Sequence, residues 1–441
     1  MDWPCIVSVC RQWRKIARSN PFFQCTTNQT SRAYNLRIRE EDIRLLRIFD
    51  RLASPAPILE HLSLYQHSEP DFSWSPPISV PDTLFNGTAP RLSRLELRKV
   101  GISWNSPLLK GLRYLEICVP PARPRLAVWL DALHEMSSLE SLILQSASPI
   151  APPFPFDIER VVTLPSLTHL DISASAGDCA FALAHLTLPS LTKLCLKAES
   201  RREDESDLQN LFPYVTQHAS GPQDTQPLQS AFIQRKGRVT TVLAWPVPDM
   251  DLTVNMDAPF AFLSTALSAR VALFITSYTF FPSRHRDHLP NMTILNALMI
   301  TLPLDSLVTL TVQHYTCLNA QFWLRHVPKW LLLQRVQLTP PEARGFRELL
   351  LQGNGSCSDP LLPSLTELVL IDVTLSEHRS LRQCEAVMAH VEQGVPMETL
   401  DLRSCQTTSD AIHLLGEIVV DDDDDVEEEQ DSEDYSDMEI G

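Results

Sequence analysis

Three stretches of this chain are nearly identical: LPSLTHLDI (Leu164–Ile172), LPSLTKLCL (Leu188–Leu196) and LPSLTELVL (Leu362–Leu370). Internal repetition constrains a fold more than any single residue does. Each copy must form the same local unit and bury its apolar side against its neighbours. Looser copies are ILEHLSL (Ile58–Leu64), RLSRLELRKV (Arg91–Val100), LKGLRYLEICV (Leu109–Val119), SSLESLILQSA (Ser137–Ala147), LDSLVTLTV (Leu304–Val312), LLLQRVQL (Leu331–Leu338) and METLDL (Met397–Leu402). The shared frame is L-x-x-L-x-L. Marked by the first apolar residue of L-x-L, copies fall at Leu95, Leu115, Leu142, Leu170 and Leu194, in steps of 20, 27, 28 and 24. A second run is Leu310, Val336, Leu368 and Leu400, in steps of 26, 32 and 32. Divergent copies are expected in the gap between the runs, around VTTVLAW (Val239–Trp245) and RVALFI (Arg270–Ile275).

The frame is that of a leucine-rich repeat, whose units run roughly 20–29 residues; the first run fits this period and the second is slightly long. In such a unit L-x-L is a short strand, and alternate residues point to opposite faces. The leucines face the core and the x residues face the concave surface. The chain returns on the convex side by a helix or an irregular arm. WLDALHEM (Trp129–Met136), with Leu130, Leu133 and Met136 at helical spacing, reads as one helical return, and AHVEQGV (Ala389–Val395) as the end of another. The Asn or Cys that usually follows the strand is missing from most copies; only Cys405 suits that place. The expectation is an irregular α/β leucine-rich-repeat solenoid over residues 36–420, with parallel short strands on the concave face and helices or irregular arms on the convex face.

Composition narrows the chemistry. Of a net charge of −17, thirteen acidic residues and no Lys or Arg fall in residues 421–441. The rest of the chain is left near −4, without the dense basic stripe that nucleic acid requires. With only 12 glycines, phosphate loops are disfavoured, and the 34 prolines imply short elements firmly ended. The ten cysteines form no CxxC and no zinc-like spacing with histidine; Cys118 and Cys405 sit at apolar repeat positions and read as buried free thiols. No apolar run approaches the roughly 20 residues of a membrane span, and MDWPCIVSVCRQW is a poor secretory signal. The sequons at Asn28, Asn86, Asn291 and Asn354 then read as chance matches. No nucleophile, phosphate-loop or zinc-protease motif occurs, so no catalytic residue, cofactor or metal ligand is assigned. His285 and His288 beside Asp287 could hold a metal on a helix, or lie in a solvated loop after Pro282.

The segment IVSVCRQWRKIARSNP predicts an amphipathic helix, with Ile6, Val9, Cys10, Trp13, Ile16 and Ala17 on one face and Asn20-Pro21 as its stop. V-C-R-x-W-R-x-I-A followed by Pro resembles the second half of an F-box. The matching residues include Val9, Cys10, Trp13, Ile16, Ala17 and Pro21. The phrases LPLDSLVTL, FWLRHVPKWLLLQRVQL, LLPSLTELVL and GVPMETLDL are similar to F-box/leucine-rich-repeat proteins of the type common in mushroom-forming fungi. That resemblance implies a substrate receptor: residues 1–35 form a partial F-box-like helical segment that docks on the Skp-type adaptor of an SCF cullin ubiquitin ligase, and the repeats hold a protein substrate. The receptor itself is not an enzyme. The Leu-Pro opening and apolar first helix of an F-box have no counterpart here, so weakened adaptor binding is expected. A plain helical cap on the end of a repeat array is the alternative for residues 5–18.

Residues 421–441 are expected to be a disordered, solvated acidic tail. The substrate face is expected at Arg94, Glu96, Arg98, Tyr114, Glu116, His169, Asp171, Lys193, Lys197, Asp401 and Arg403, with Tyr114 and Arg98 as anchors. Its mixed charge suits a protein better than a nucleic acid. The expectation is a monomer within a complex, cytoplasmic or nuclear, with no nucleic-acid or membrane partner. The alternatives are a repeat scaffold without a ligase link, or an acidic repeat protein binding basic partners such as histones.

Overall fold

A computed structural model of the chain describes residues 24–27, 34–40, 42–66, 78–189, 192–201, 205–220, 226–248, 269–278, 289–315, 318–352, 360–375, 377–403 and 405–407. The expected F-box residues Val9, Cys10, Trp13, Ile16, Ala17 and Pro21, the His285/His288 pair and the acidic residues 421–441 lie outside these. The fold is mixed α/β, built on a 15-stranded, mostly parallel sheet. In chain order its strands are β1 (Gln24–Thr27), β2 (Tyr34–Glu40), β3 (Leu59–Gln66), β4 (Arg94–Arg98), β5 (Tyr114–Cys118), β6 (Ser141–Gln145), β7 (His169–Ser175), β8 (Lys193–Arg201), β9 (Ser230–Lys236), β10 (Val239–Trp245), β11 (Val271–Tyr278), β12 (Thr309–Gln313), β13 (Arg335–Leu338), β14 (Glu367–Ile371) and β15 (Thr399–Arg403). Eight α-helices connect them among the described residues: α1 (Asp42–Arg51), α2 (Leu126–Glu135), α3 (Ala176–Ala184), α4 (Glu205–Ser220), α5 (Leu289–Thr301), α6 (Ala320–His326), α7 (Pro340–Gln352) and α8 (Glu377–Glu392).

The register follows from the leucine frame. Leu36, Leu62, Leu95, Leu115, Leu142, Leu170 and Leu194 are successive Cα partners across β2 to β8. Leu310, Val336, Leu368 and Leu400 continue the file across β12 to β15. A second file, two residues on, begins Ile38, Leu64, Leu97, Ile117, Leu144, Ile172 and Leu196. All of these residues in β2 to β8 are buried in one continuous core. Full burial of such a side chain contributes about 1.5–3 kcal/mol, so the files supply much of the drive for stacking.

The chain leaves sequence order once. The sheet runs β8, β11, β10, β9, β12, so β8 pairs with β11 and β9 with β12, both in parallel. Between them β10 is antiparallel to both neighbours. The expected repeat copy at Val239–Trp245 is therefore a strand of opposite direction, the second arm of a hairpin. Its turn is Gly237-Arg238, with Gly237 at φ +60, as a tight two-residue hairpin turn requires at its first position. The copy at Arg270–Ile275 corresponds to β11, which runs parallel to β8. At the other end, the expected boundary between residues 35 and 36 falls inside β2.

Five of the strands end by a recurring device. Lys99, Val119, Ser146, His314 and Asp372 each directly follow a strand, and each has positive φ. The amides of Lys99, Val119, Ser146 and Asp372 donate to the carbonyls of Cys118, Gln145, Ser173 and Arg403, the neighbouring strand in each case. Backbone pairing thus does the work expected of the missing Asn side chains. Helix starts are capped in the usual way: Ser175 Oγ accepts from the Asp178 amide at 3.2 Å, and Asn319 Oδ1 from Phe322 at 3.0 Å. Gly345 in α7 lies against the Leu318 carbonyl, where a Cβ would collide.

Two stability measurements check this account. Val119 is an exposed β-branched residue held at φ 49, a conformation costing about 1–2 kcal/mol without compensation; Val119→Gly is expected to raise the thermal midpoint. Leu170→Ala, in the middle of the first file, is expected to destabilise by about 3 kcal/mol in chemical denaturation. An unchanged midpoint in the Leu170 variant would contradict its place in the core.

Candidate functional site

Residues between the leucines project from the opposite face of the sheet. There the structure brings together Arg94, Glu96, Arg98, Tyr114, Glu116, His169, Asp171, Lys193 and Lys197 on β4, β5, β7 and β8. Asp401 and Arg403 are not part of this group. They lie on β15, seven strand positions from β8, or about 34 Å at about 4.8 Å per strand, and pair with each other at 2.6 Å.

The charges are layered. Glu96, Glu116 and Asp171 are almost wholly buried against the sheet, with side-chain exposures of 8%, 7% and 12%. Their cations stand above them: Arg94 is 45% exposed, Arg98 54% and Lys197 47%. Arg94 Nε donates to Glu96 at 2.7 Å. Arg98 donates to Glu116 Oε1 from Nε at 2.9 Å and from Nη2 at 2.7 Å. Lys197 donates to Asp171 at 2.8 Å. The Tyr114 hydroxyl donates to Glu116 Oε2 at 2.8 Å, and the Arg94 guanidinium lies 3.8 Å over the Tyr114 ring. Tyr114 is therefore fixed by its own neighbours, as part of the floor over which Arg94 sits.

Burial alone would raise the Glu96 pKa, yet hydrogen bonds and charge from His61 and Arg94 outweigh it and hold the carboxyl at about 2. For Lys197, burial opposes the charge and Asp171 restores it, leaving the ammonium above its ordinary value. His169 is pushed below its ordinary value, chiefly by burial and further by Lys193 and Lys197, against the opposing charge of Asp171. Cys118 faces this polar side, because Leu115 and Ile117 take the inward positions; it is half-buried and not a core thiol as expected. Burial and the adjacent Glu116 charge push its thiol up to about 12, so it is a protonated, weakly nucleophilic thiol at neutral pH.

Sequence reasoning missed the first two strands of this face. Arg37 and Arg39 on β2 are exposed. Arg37 Nη2 is 3.9 Å from Glu96, and Arg39 lies 5.0 Å over the Tyr65 ring of β3. His61 Nε2 is 3.3 Å from Glu96 Oε1. The signal was available in YNLRIRE, where Leu36 and Ile38 alternate with the two arginines. Beyond β8 the same face turns apolar: Cys195, Phe232, Leu243, Trp245 and Ala272 form a second buried cluster there. Among the described residues no group of three or more His, Cys, Asp or Glu could hold a metal ion, and no helix is long and apolar enough to cross a membrane.

Glu96 gives a pH test. Its depressed pKa contributes stability that is complete above its ordinary value of 4.5 and lost as pH falls through about 2. Glu96→Gln is therefore expected to be less stable than the parent near neutrality, with the gap closing as thermal unfolding is followed down through this window. A gap independent of pH would show that the carboxylate charge does not matter.

A scan of known family models and a search of curated proteins each find no match to this chain.

Proposed function

We propose that the chain is an irregular leucine-rich-repeat solenoid that serves as a substrate receptor of an SCF-type cullin ubiquitin ligase. It holds a protein substrate on the polar face of its sheet while other subunits catalyse transfer. The observation that carries the binding role is the set of half-exposed cations on one face of the sheet, Arg94 and Arg98 on β4 and Lys197 on β8, each fixed by a buried carboxylate. Side chains fixed in advance lose little entropy on association, which favours tight recognition. The repeating L-x-L frame, the register of its leucine files from Leu36 to Leu194 and the helices between strands support the solenoid reading. The ligase link rests on the resemblance of Val9, Cys10, Trp13, Ile16, Ala17 and Pro21 to half of an F-box. In this reading the protein is not itself an enzyme, works as a monomer within the complex, and resides in the cytoplasm or nucleus.

Co-purification of the full chain with the Skp-type adaptor tests the link. Capture of the adaptor by the parent and its loss in the Trp13→Ala/Ile16→Ala variant is the expected result. No adaptor at any concentration overturns the ligase role and leaves a repeat scaffold.

A further inference from the structure

The layering of charge has a direction. The carboxylates Glu96 and Glu116 are at the floor, and their bonds to arginine consume the inward N–H groups. Arg94 meets Glu96 through Nε, and Arg98 meets Glu116 through Nε and Nη2. The outer edges of these guanidinium groups face solvent. Arg37, 60% exposed, and Arg39 extend the row on β2, two strands or about 10 Å from β4. Two of the four lie over tyrosine rings, Arg39 5.0 Å from the Tyr65 centroid and Arg94 3.8 Å from that of Tyr114. A guanidinium held against a ring keeps its place, and its remaining paired N–H donors match a carboxylate's two oxygens. This cationic layer belongs to a chain whose overall charge is −17, so it is a local feature and not a reflection of composition.

We infer that the β2–β5 end of the polar face binds an acidic segment of a partner protein, its Asp and Glu carboxylates engaging the outward guanidinium groups of Arg37, Arg39, Arg94 and Arg98. The inference rests on the reading of this face as the partner surface, and it names the chemistry of the partner. Basic partners are disfavoured, because the carboxylates that would attract them are already buried and paired.

The test titrates the full chain with a fluorescent peptide of consecutive glutamates, read by anisotropy. Matched peptides carry glutamine, phosphoserine or lysine, and a single-stranded oligonucleotide is included. Residues 421–441 of the same chain are a competitor of like chemistry, so titration continues above the roughly 1 mM effective concentration of a tethered segment. The glutamate peptide is expected to bind, to weaken as salt rises, and to lose about tenfold in affinity in Arg37→Gln/Arg39→Gln. Both side chains are exposed, and their contacts, Arg37 at 3.9 Å from Glu96 and Arg39 over Tyr65, are weak surface ones, so thermal unfolding of the variant should stay close to the parent's. Binding no tighter than that of the glutamine peptide overturns the inference, as does unchanged affinity in the variant. Binding confined to the phosphorylated peptide, or equal binding of the oligonucleotide, also overturns it. Adaptor capture without glutamate-peptide binding sinks this inference alone. Peptide binding without adaptor capture supports it and removes the ligase link.

Discussion

Leu95, Leu115, Leu142, Leu170 and Leu194 stack from strand to strand at the spacing of hydrogen-bonded neighbours, about 4.8 Å. A second file runs beside them through Leu97, Ile117, Leu144, Ile172 and Leu196. No short strand of five residues is stable alone; it gains its core only by lying against the next copy. Because side chains alternate, setting these files inward also sets which residues face outward. A slip of one residue in β5 would bury Tyr114 and Glu116 in the core and expose Leu115. The polar face is thus a consequence of the leucine packing, and its charges are positioned as accurately as the core is packed.

That face resolves a conflict inherent in the pattern. Glu96, Glu116 and Asp171 occupy central positions on their strands, too close to the sheet to be well hydrated. A carboxylate so placed is costly unless paired and hydrogen-bonded. Each has a cation, and Glu116 also has the Tyr114 hydroxyl. The long arginine and lysine stems reach over the carboxylates and carry positive charge to the surface. An acidic floor under a basic roof leaves cations outermost on this face, although the strand sequences RLELR and YLEIC together read as mixed charge.

What the sequence disclosed and what it hid divide along physical lines. Strand positions were legible wherever L-x-L was intact, because period-two burial leaves a direct mark on composition; β4 to β8 and β12 to β15 all fall on the marked leucines. The helix at Leu126–Glu135 was legible for the same reason at a different period. Strand direction around Val239–Trp245 was not, since alternation is the same whether a strand runs up or down. Nor was the order β8, β11, β10, β9, β12, which depends on where α4 delivers the chain. The second apolar cluster on the polar face follows from that order, since Phe232, Leu243 and Ala272 meet there only when β9, β10 and β11 are neighbours. His169 and Asp171 on β7 share a face of the sheet with Lys193 and Lys197 on β8, as alternation implies, while Arg37 and Arg39 escaped because β2 precedes the first recognisable copy. Asp401 and Arg403 carried the same alternation but stand at the far end of the sheet, and distance across a sheet cannot be judged from a single strand's sequence.

The continuity of the sheet is the central claim, and it is most exposed where chain order and spatial order part. Cys195 on β8 is the Cα partner of Ala272 on β11, whereas an array stacked in chain order would place β9 and Phe232 beside it. Mild oxidation of Ala272→Cys and, separately, of Phe232→Cys, followed by peptide mapping, distinguishes the two. The account predicts a bond between the Cys195 thiol and the thiol introduced at position 272, with none to position 232. A bond to position 232, with position 272 left unlinked, would contradict the sheet order on which both the core and the polar face rest.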